Sequence, residues 1–199
     1  MSKLSLWISW VLINMAGTVI GLSIGLSYAY IPEVSAVIFL VVLSLSGIPL
    51  AVGEWLLLRR ELGIKAWWVL ATTLSWALCW YINIVLALVL GEGTVGSIAG
   101  TVLFYGLFPG VIFGICQWLV LRRRFDKSIW WIFATTAGWD LALFGLVVFS
   151  GAVQTNLIAT LYLFAILGMM VGAMQGLALV WMPREDMGII PPVKTGEER

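Results

Sequence analysis

The sequence predicts an all-α membrane protein: six transmembrane helices arranged as three parallel two-helix repeats in a pseudo-threefold bundle. Three observations carry this. First, the chain is 62% hydrophobic and 11% charged, against about 25% charged in a soluble domain, and so apolar a chain has too few polar residues to face water. Second, its apolar residues fall into runs that each approach the 20 or so residues needed to span a bilayer. Third, its basic residues occupy alternate breaks between those runs.

The runs are about 5–29, 34–58, 66–90, 97–121, 129–153 and 157–181. The amino-terminal stretch is longer than the apolar core of a signal peptide. Ser27-Tyr28-Ala29 resembles a cleavage site weakly, and the segment reads as a retained helix. The breaks are short: Ile31-Pro32-Glu33, Arg59 to Lys65, Gly91-Glu92-Gly93, Arg122 to Lys127, and Gly151 to Asn156. Short links force antiparallel neighbours. Residues 1–182 thus form one transmembrane domain, and 183–199, with Pro183, Pro191 and Pro192, read as a flexible cytoplasmic tail.

Orientation follows from Lys and Arg in the short loops. All eleven basic residues fall on one side, which is therefore cytoplasmic together with both termini; the opposite loops carry only Glu33 and Glu92. The expected location is a bacterial inner or thylakoid-type membrane. Trp55, Trp67, Trp68, Trp118, Trp130, Trp131 and Trp181 lie close to the basic loops, where tryptophan anchors at the headgroup level.

Lys3, Lys65 and Lys127 recur 62 residues apart, which sets repeats of about 3–61, 65–124 and 127–184. In the even-numbered helices a Gly, a small residue and a Glu or Gln recur at spacings of four and three. The sets are Gly47, Ala51 and Glu54; Gly110, Gly114 and Gln117; Gly168, Gly172 and Gln175. Units of two helices repeat in the same orientation, about an axis along the membrane normal. The small residues favour close approach of helix backbones and place the even helices nearest that axis. Gln117 to Arg123 with Trp130-Trp131, and Glu54 to Arg60 with Trp67-Trp68, resemble a group of small polytopic membrane proteins of cyanobacteria and filamentous phototrophs. These carry repeated Gln-Trp-Leu-Val-Leu-Arg-Arg followed by Trp-Trp. The resemblance covers about residues 47–182 and implies a fold but no reaction; the first helix departs from it.

The spacing puts Glu54, Gln117 and Gln175 on the small-residue faces, as polar glue between helices or as a site for a cation, a proton or a polar headgroup. Asp140 lies thirteen residues past Lys127, about 20 Å along a helix and near mid-bilayer. An acid at that depth costs about 2.5–3.5 kcal/mol on insertion scales and is a functional candidate by default; the bland alternative is a protonated side chain bonded to a neighbouring hydroxyl or carbonyl. Asn14 and Asn83 read as helix-to-helix hydrogen bonds. Thr72, Thr73, Thr135 and Thr136 read as bonds to their own helix backbone. Arg59, Arg60, Arg122, Arg123 and Arg124 set the topology and are candidates for anionic lipid headgroups or an acidic partner.

The chain has no histidine, and Cys79 and Cys116 show no metal spacing. No nucleotide, zinc or nucleophile-elbow motif occurs. These features predict neither catalytic nor metal residues and point to no particular cofactor; chlorophyll magnesium, which Glu, Gln or Asn can ligate, stays open. The expected function is non-enzymatic: an accessory or scaffold subunit that packs in a larger membrane complex and binds lipid or a hydrophobic ligand. Its partners would be membrane lipids and other membrane subunits, not nucleic acid. The alternative is a small proton- or cation-coupled transporter using Asp140 and the Glu54, Gln117 and Gln175 cluster.

Overall fold

The computed structural model describes residues 1–29, 31, 35–90, 106–125, 127–153 and 157–182. Its elements, all helical among the described residues, are α1 (Lys3–Ala29), α2 (Ala36–Leu45), α3 (Ile48–Leu62), α4 (Trp67–Leu90), α5 (Phe108–Leu121), α6 (Trp130–Val153) and α7 (Leu157–Trp181). Four stretches among the described residues are long and apolar enough to cross a membrane: Lys3–Gly25, Val37–Leu62, Trp67–Leu86 and Ile158–Trp181. The turn around Pro32-Glu33, the Gly91-Glu92-Gly93 link, the beginning of the fourth apolar run and the 183–199 tail lie outside the described residues.

The second apolar run differs from the expected single helix. It breaks at Ser46-Gly47 into α2 and α3, where Ser46 Oγ donates to the Leu43 carbonyl (2.7 Å) and Pro49 enters the first turn of α3. Proline is tolerated there because the first N–H groups of a helix have no intrahelical partner. The run also ends later than expected. Arg59, Arg60 and Glu61 stay helical, since long charged side chains form helix well and carry their heads outward. The stop comes at Gly63, whose φ of 64° is left-handed. Gly63 N–H donates to Arg59 O (3.1 Å), the closing bond of an αL cap, and Ile64 N–H to Leu58 O (3.3 Å), with Ile64 and Leu58 both buried.

Each helix packs chiefly on its neighbours in chain order: α1 on α2 and α3, these on α4, α4 on α5, α5 on α6, α6 on α7, and α7 back on α1. The result is a closed ring. Contacts between loops gather the helix ends that carry the basic residues. The Met1 ammonium pairs with Glu61 at the end of α3 (3.1 Å). Arg124, after α5, donates to the Leu62 and Gly63 carbonyls (3.4 and 3.5 Å). Lys127, before α6, lies 5.3 Å from the ring centroid of Trp181 at the end of α7.

The glycines allow the close contacts, but they turn toward the adjacent helix and not toward one another across the ring. A Cβ on Gly110 would stand 2.5 Å from Thr136 Cα of α6, and one on Gly172 2.7 Å from Asn14 Cβ of α1. On Gly47 it would meet the Trp76 ring of α4 at 2.5 Å. Each small-residue stripe therefore docks on the next helix around the ring. Gly145 differs, since a Cβ there would meet only the end of Met170 at 3.5 Å, an ordinary contact. Gly110→Ala should accordingly lower stability by about 1–3 kcal/mol through overpacking, whereas Gly145→Ala should be neutral or gain through helix propensity. Thermal unfolding of the two variants in one detergent checks this; equal melting temperatures would count against a tight α5–α6 contact.

Candidate functional site

At the basic end the ring is filled by three indoles. Trp10 of α1, Trp68 of α4 and Trp131 of α6 are fully buried and meet edge to face. Their centroids are 6.2 Å apart (Trp10–Trp68), 5.7 Å (Trp10–Trp131) and 5.7 Å (Trp68–Trp131), with interplanar angles of 75°, 80° and 76°. This orientation sets the positive edge of one ring against the negative face of the next. Leu58 and Leu121, with no exposed surface, pack around them. Two of these tryptophans were expected as interfacial anchors. Successive helical residues point about 100° apart, so in each Trp-Trp pair one ring turns out and the other in: Trp67 and Trp130 are exposed, Trp68 and Trp131 buried.

One turn further along lies a ring of polar side chains, each at most 1% exposed: Asn14, Glu54, Thr72, Gln117, Thr135 and Gln175. Its bonds repeat from unit to unit. Trp68 Nε1 donates to Glu54 Oε2 and Trp131 Nε1 to Gln117 Oε1, both at 2.9 Å. Gln117 Nε2 donates to Thr72 Oγ1 (2.9 Å) and Gln175 Nε2 to Thr135 Oγ1 (3.2 Å). Within the trio, Gln117 Nε2 reaches Glu54 Oε2 and Gln175 Nε2 reaches Gln117 Oε1, each at 3.4 Å. Thr72 Oγ1 adds a bond to Glu54 Oε2 (3.3 Å). The pattern breaks once. Gln175 Oε1 and Trp10 Nε1 are buried and have no hydrogen-bond partner among the described residues.

Beyond the polar ring the bundle is hollow. A cavity of ≈ 310 Å³ has Asn14, Glu54, Gln117 and Gln175 at one end and extends along α4 to Asn83 and along α7 to Phe164. Eleven helical residues, from Thr72 to Asn83 or from Gln175 to Phe164, make this about 16 Å deep. Trp76, Trp80, Phe113 and Trp139 supply aromatic wall; Phe113 packs between Trp76 (6.0 Å) and Trp139 (5.3 Å).

The expected trio of Glu54, Gln117 and Gln175 is thus brought together, but Asp140 is not part of it. Asp140 is partly buried and stands against Gly106, where a Cβ would lie 2.5 Å from Asp140 Oδ1. It does not line the cavity, although its neighbours Trp139 and Ala142 do. Asp140 Oδ1 has no hydrogen-bond partner among the described residues. Of the small residues, Gly47, Gly110, Gly114, Gly168 and Gly172 all sit at close helix contacts, and Ala51 is fully buried. Among the arginines, Arg59 and Arg122 lie over Trp55 and Trp118 at 5.3 and 5.4 Å and Arg60 pairs with Glu61 (3.3 Å). Arg123 is exposed, and Arg124 braces the α3 terminus.

Several expectations change. Thr72 and Thr135 join the ring, whereas Thr136 Oγ1 does bond its own helix at Ile132 O (2.8 Å). Asn14 and Asn83 donate to their own backbones, at Trp10 O (3.1 Å) and Cys79 O (2.8 Å). Trp10 is the ring residue least visible in the sequence, and the shared spacing Trp10–Asn14, Trp68–Thr72 and Trp131–Thr135 is the signal that finds it. No protein family, curated protein or solved structure matches the chain.

Trp131→Phe keeps an aromatic ring but removes the Nε1–H that Gln117 Oε1 accepts. It should cost about 1–3 kcal/mol, while Trp130→Phe, at an exposed position, should leave stability unchanged. Detergent unfolding monitored by circular dichroism separates the two.

Proposed function

We propose that the chain is a non-enzymatic integral membrane protein that holds a hydrophobic ligand in its axial cavity and packs as an accessory subunit in a larger membrane complex. The observation that carries this is the ≈ 310 Å³ cavity itself: an apolar, largely aromatic chamber closed at one end by a few converging polar groups, the usual build of a ligand site. The outer faces of the helices support residence in a bilayer among other hydrophobic surfaces, since Val37, Leu88, Val89, Phe144 and Tyr162 are all exposed.

In this reading six transmembrane helices form three parallel two-helix repeats about a pseudo-threefold axis. Two like hydrogen bonds, Trp68 to Glu54 and Trp131 to Gln117, each spanning fourteen residues, support the repeat. The basic end, with both termini, faces the cytoplasm, a reading supported by the confinement of Lys and Arg to that side. The setting is a bacterial inner or thylakoid-type membrane. The exposed Arg59, Arg60, Arg122 and Arg123 then meet anionic headgroups.

A second reading, a small proton- or cation-coupled carrier, draws on the carboxylate of Glu54 at the closed end of the cavity. It requires the Trp10–Trp68–Trp131 plug to open during transport. If Asp140→Asn left every measured flux unchanged, the part of this reading that uses Asp140 would be lost.

Ala142 is 1% exposed and lines the cavity, so Ala142→Phe fills space the ligand would use. Gentle extraction from the native membrane, with mass spectrometry of everything retained, should find a stoichiometric hydrophobic molecule on the wild type and at least about tenfold less on the variant. Partner polypeptides should accompany both. If wild type and Ala142→Phe emerge alone with identical bulk lipid, the cavity has no resident ligand.

A further inference from the structure

The break in the polar ring has two parts: Trp10 Nε1 does not bond Gln175 Oε1 as Trp68 bonds Glu54 and Trp131 bonds Gln117, and Glu54 passes no N–H to Gln175. Around the trio each amide passes one N–H to the preceding unit: Gln117 Nε2 to Glu54, and Gln175 Nε2 to Gln117 (3.4 Å each). Closing the circle would take an N–H from the third position to Gln175 Oε1. That position is Glu54, which has no N–H and, as an ionised carboxylate, only accepts. Gln175, 1% exposed, therefore keeps an acceptor with no donor among the described residues. Glu54 Oε2 meanwhile accepts from Trp68, Thr72 and Gln117.

What remains at this end of the cavity is short of donors. Both amide nitrogens of the trio are committed, and Asn14 Nδ2 is bonded to Trp10 O. Of the other unpartnered groups, Trp10 Nε1 does not line the cavity, while Trp139 Nε1 and Asn83 Oδ1 belong to lining residues farther along it. No Lys or Arg lines the cavity, and the ion pairs among the described residues involve Glu61, not Glu54. A buried carboxylate without a countercharge, beside an orphaned carbonyl oxygen, suits a cation that carries N–H groups. The walls agree, because Trp76, Trp80, Phe113 and Trp139 line the cavity beyond the polar ring with apolar aromatic surface suited to the body of such a compound.

We infer that the cavity takes a lipophilic ammonium compound head first, its N–H groups bridging Glu54 and Gln175 and its apolar body lying between the tryptophans. This rests on the ligand-holding reading above and names the class of ligand. The size fits a single chain or small ring system, since ≈ 310 Å³ equals the liquid volume of about ten waters.

Glu54→Gln is a clean test, because Gln is what the other two units carry at this position and Gln117 shows that an amide there accepts its tryptophan N–H at 2.9 Å. The variant also supplies the missing N–H. The experiment measures calorimetric binding of n-octylammonium and, as a neutral control of equal chain length, n-octanol, to wild type and Glu54→Gln in one maltoside detergent. Wild type should bind the ammonium at least about tenfold tighter than the alcohol. In Glu54→Gln that preference should vanish, and its melting temperature should equal or exceed that of the wild type. Equal binding of the two probes by wild type, or a preference that survives in Glu54→Gln, overturns the inference and leaves the hydrophobic cavity reading standing. Binding of neither probe, with wild type melting as a folded protein, removes both.

Discussion

A polar side chain inside a bilayer has no water to turn to, so its partners must come from the protein. Asn14, Glu54, Thr72, Gln117, Thr135 and Gln175 sit at one level of the bundle, none more than 1% exposed. Their bonds tie α3 to α4, α4 to α5, α5 to α6 and α6 to α7. A rotation of any of α3 to α7 by a residue would leave a buried donor or acceptor unpaired, at about 1–3 kcal/mol per group. Apolar side chains in lipid carry no such penalty, because lipid tails are as apolar as leucine. The polar ring is therefore what fixes the rotational register of the helices, and the glycine contacts and the tryptophan plug follow from that register.

Register and close approach reinforce each other. Spacings of four and three place Gly110 and Gly114 on the face that ends in Gln117, and Gly168 and Gly172 on the face that ends in Gln175. Gln117 Oε1 accepts from Trp131 on α6, the helix whose backbone Gly110 and Gly114 meet, whereas Gln175 bonds back to Thr135 on α6 while Gly168 and Gly172 meet α1. There the absent Cβ leaves room for Thr136, Ile132, Asn14 and Val11. Dispersion, the main attraction between helices in lipid, then acts at short range along the same seam. The same rotation points the second tryptophan of each pair inward, where three indoles fill the end of the ring more completely than branched side chains of the same number would.

Much of this was legible beforehand. The all-helical, membrane-type character and the association of Glu54, Gln117 and Gln175 follow from residue type and spacing, because helical periodicity converts sequence position into a face. What stayed hidden depended on neighbours in space. Thr72 reads as a self-bonding threonine until Gln117 of another helix supplies its donor. Trp10 was obscured by a slip in register: it follows Lys3 by seven residues, whereas Trp68 follows Lys65 by three and Trp131 follows Lys127 by four, so counting from the lysines misaligns it. Asp140 stands out by composition and depth, yet the direction of its side chain puts it outside the cavity, against Gly106. Depth is a one-dimensional property of the sequence, and facing is not.

The two ends of the ring make opposite use of the same helices. At the basic end Trp10, Trp68 and Trp131 fill the ring; beyond the polar ring, Thr18, Ala142 and Val171 are among the residues that line the cavity. A bundle able to seat three indoles in mutual contact at one end has the means to close the other with two or three larger side chains. Alanine and threonine stand there instead, beneath aromatic walls and above a carboxylate.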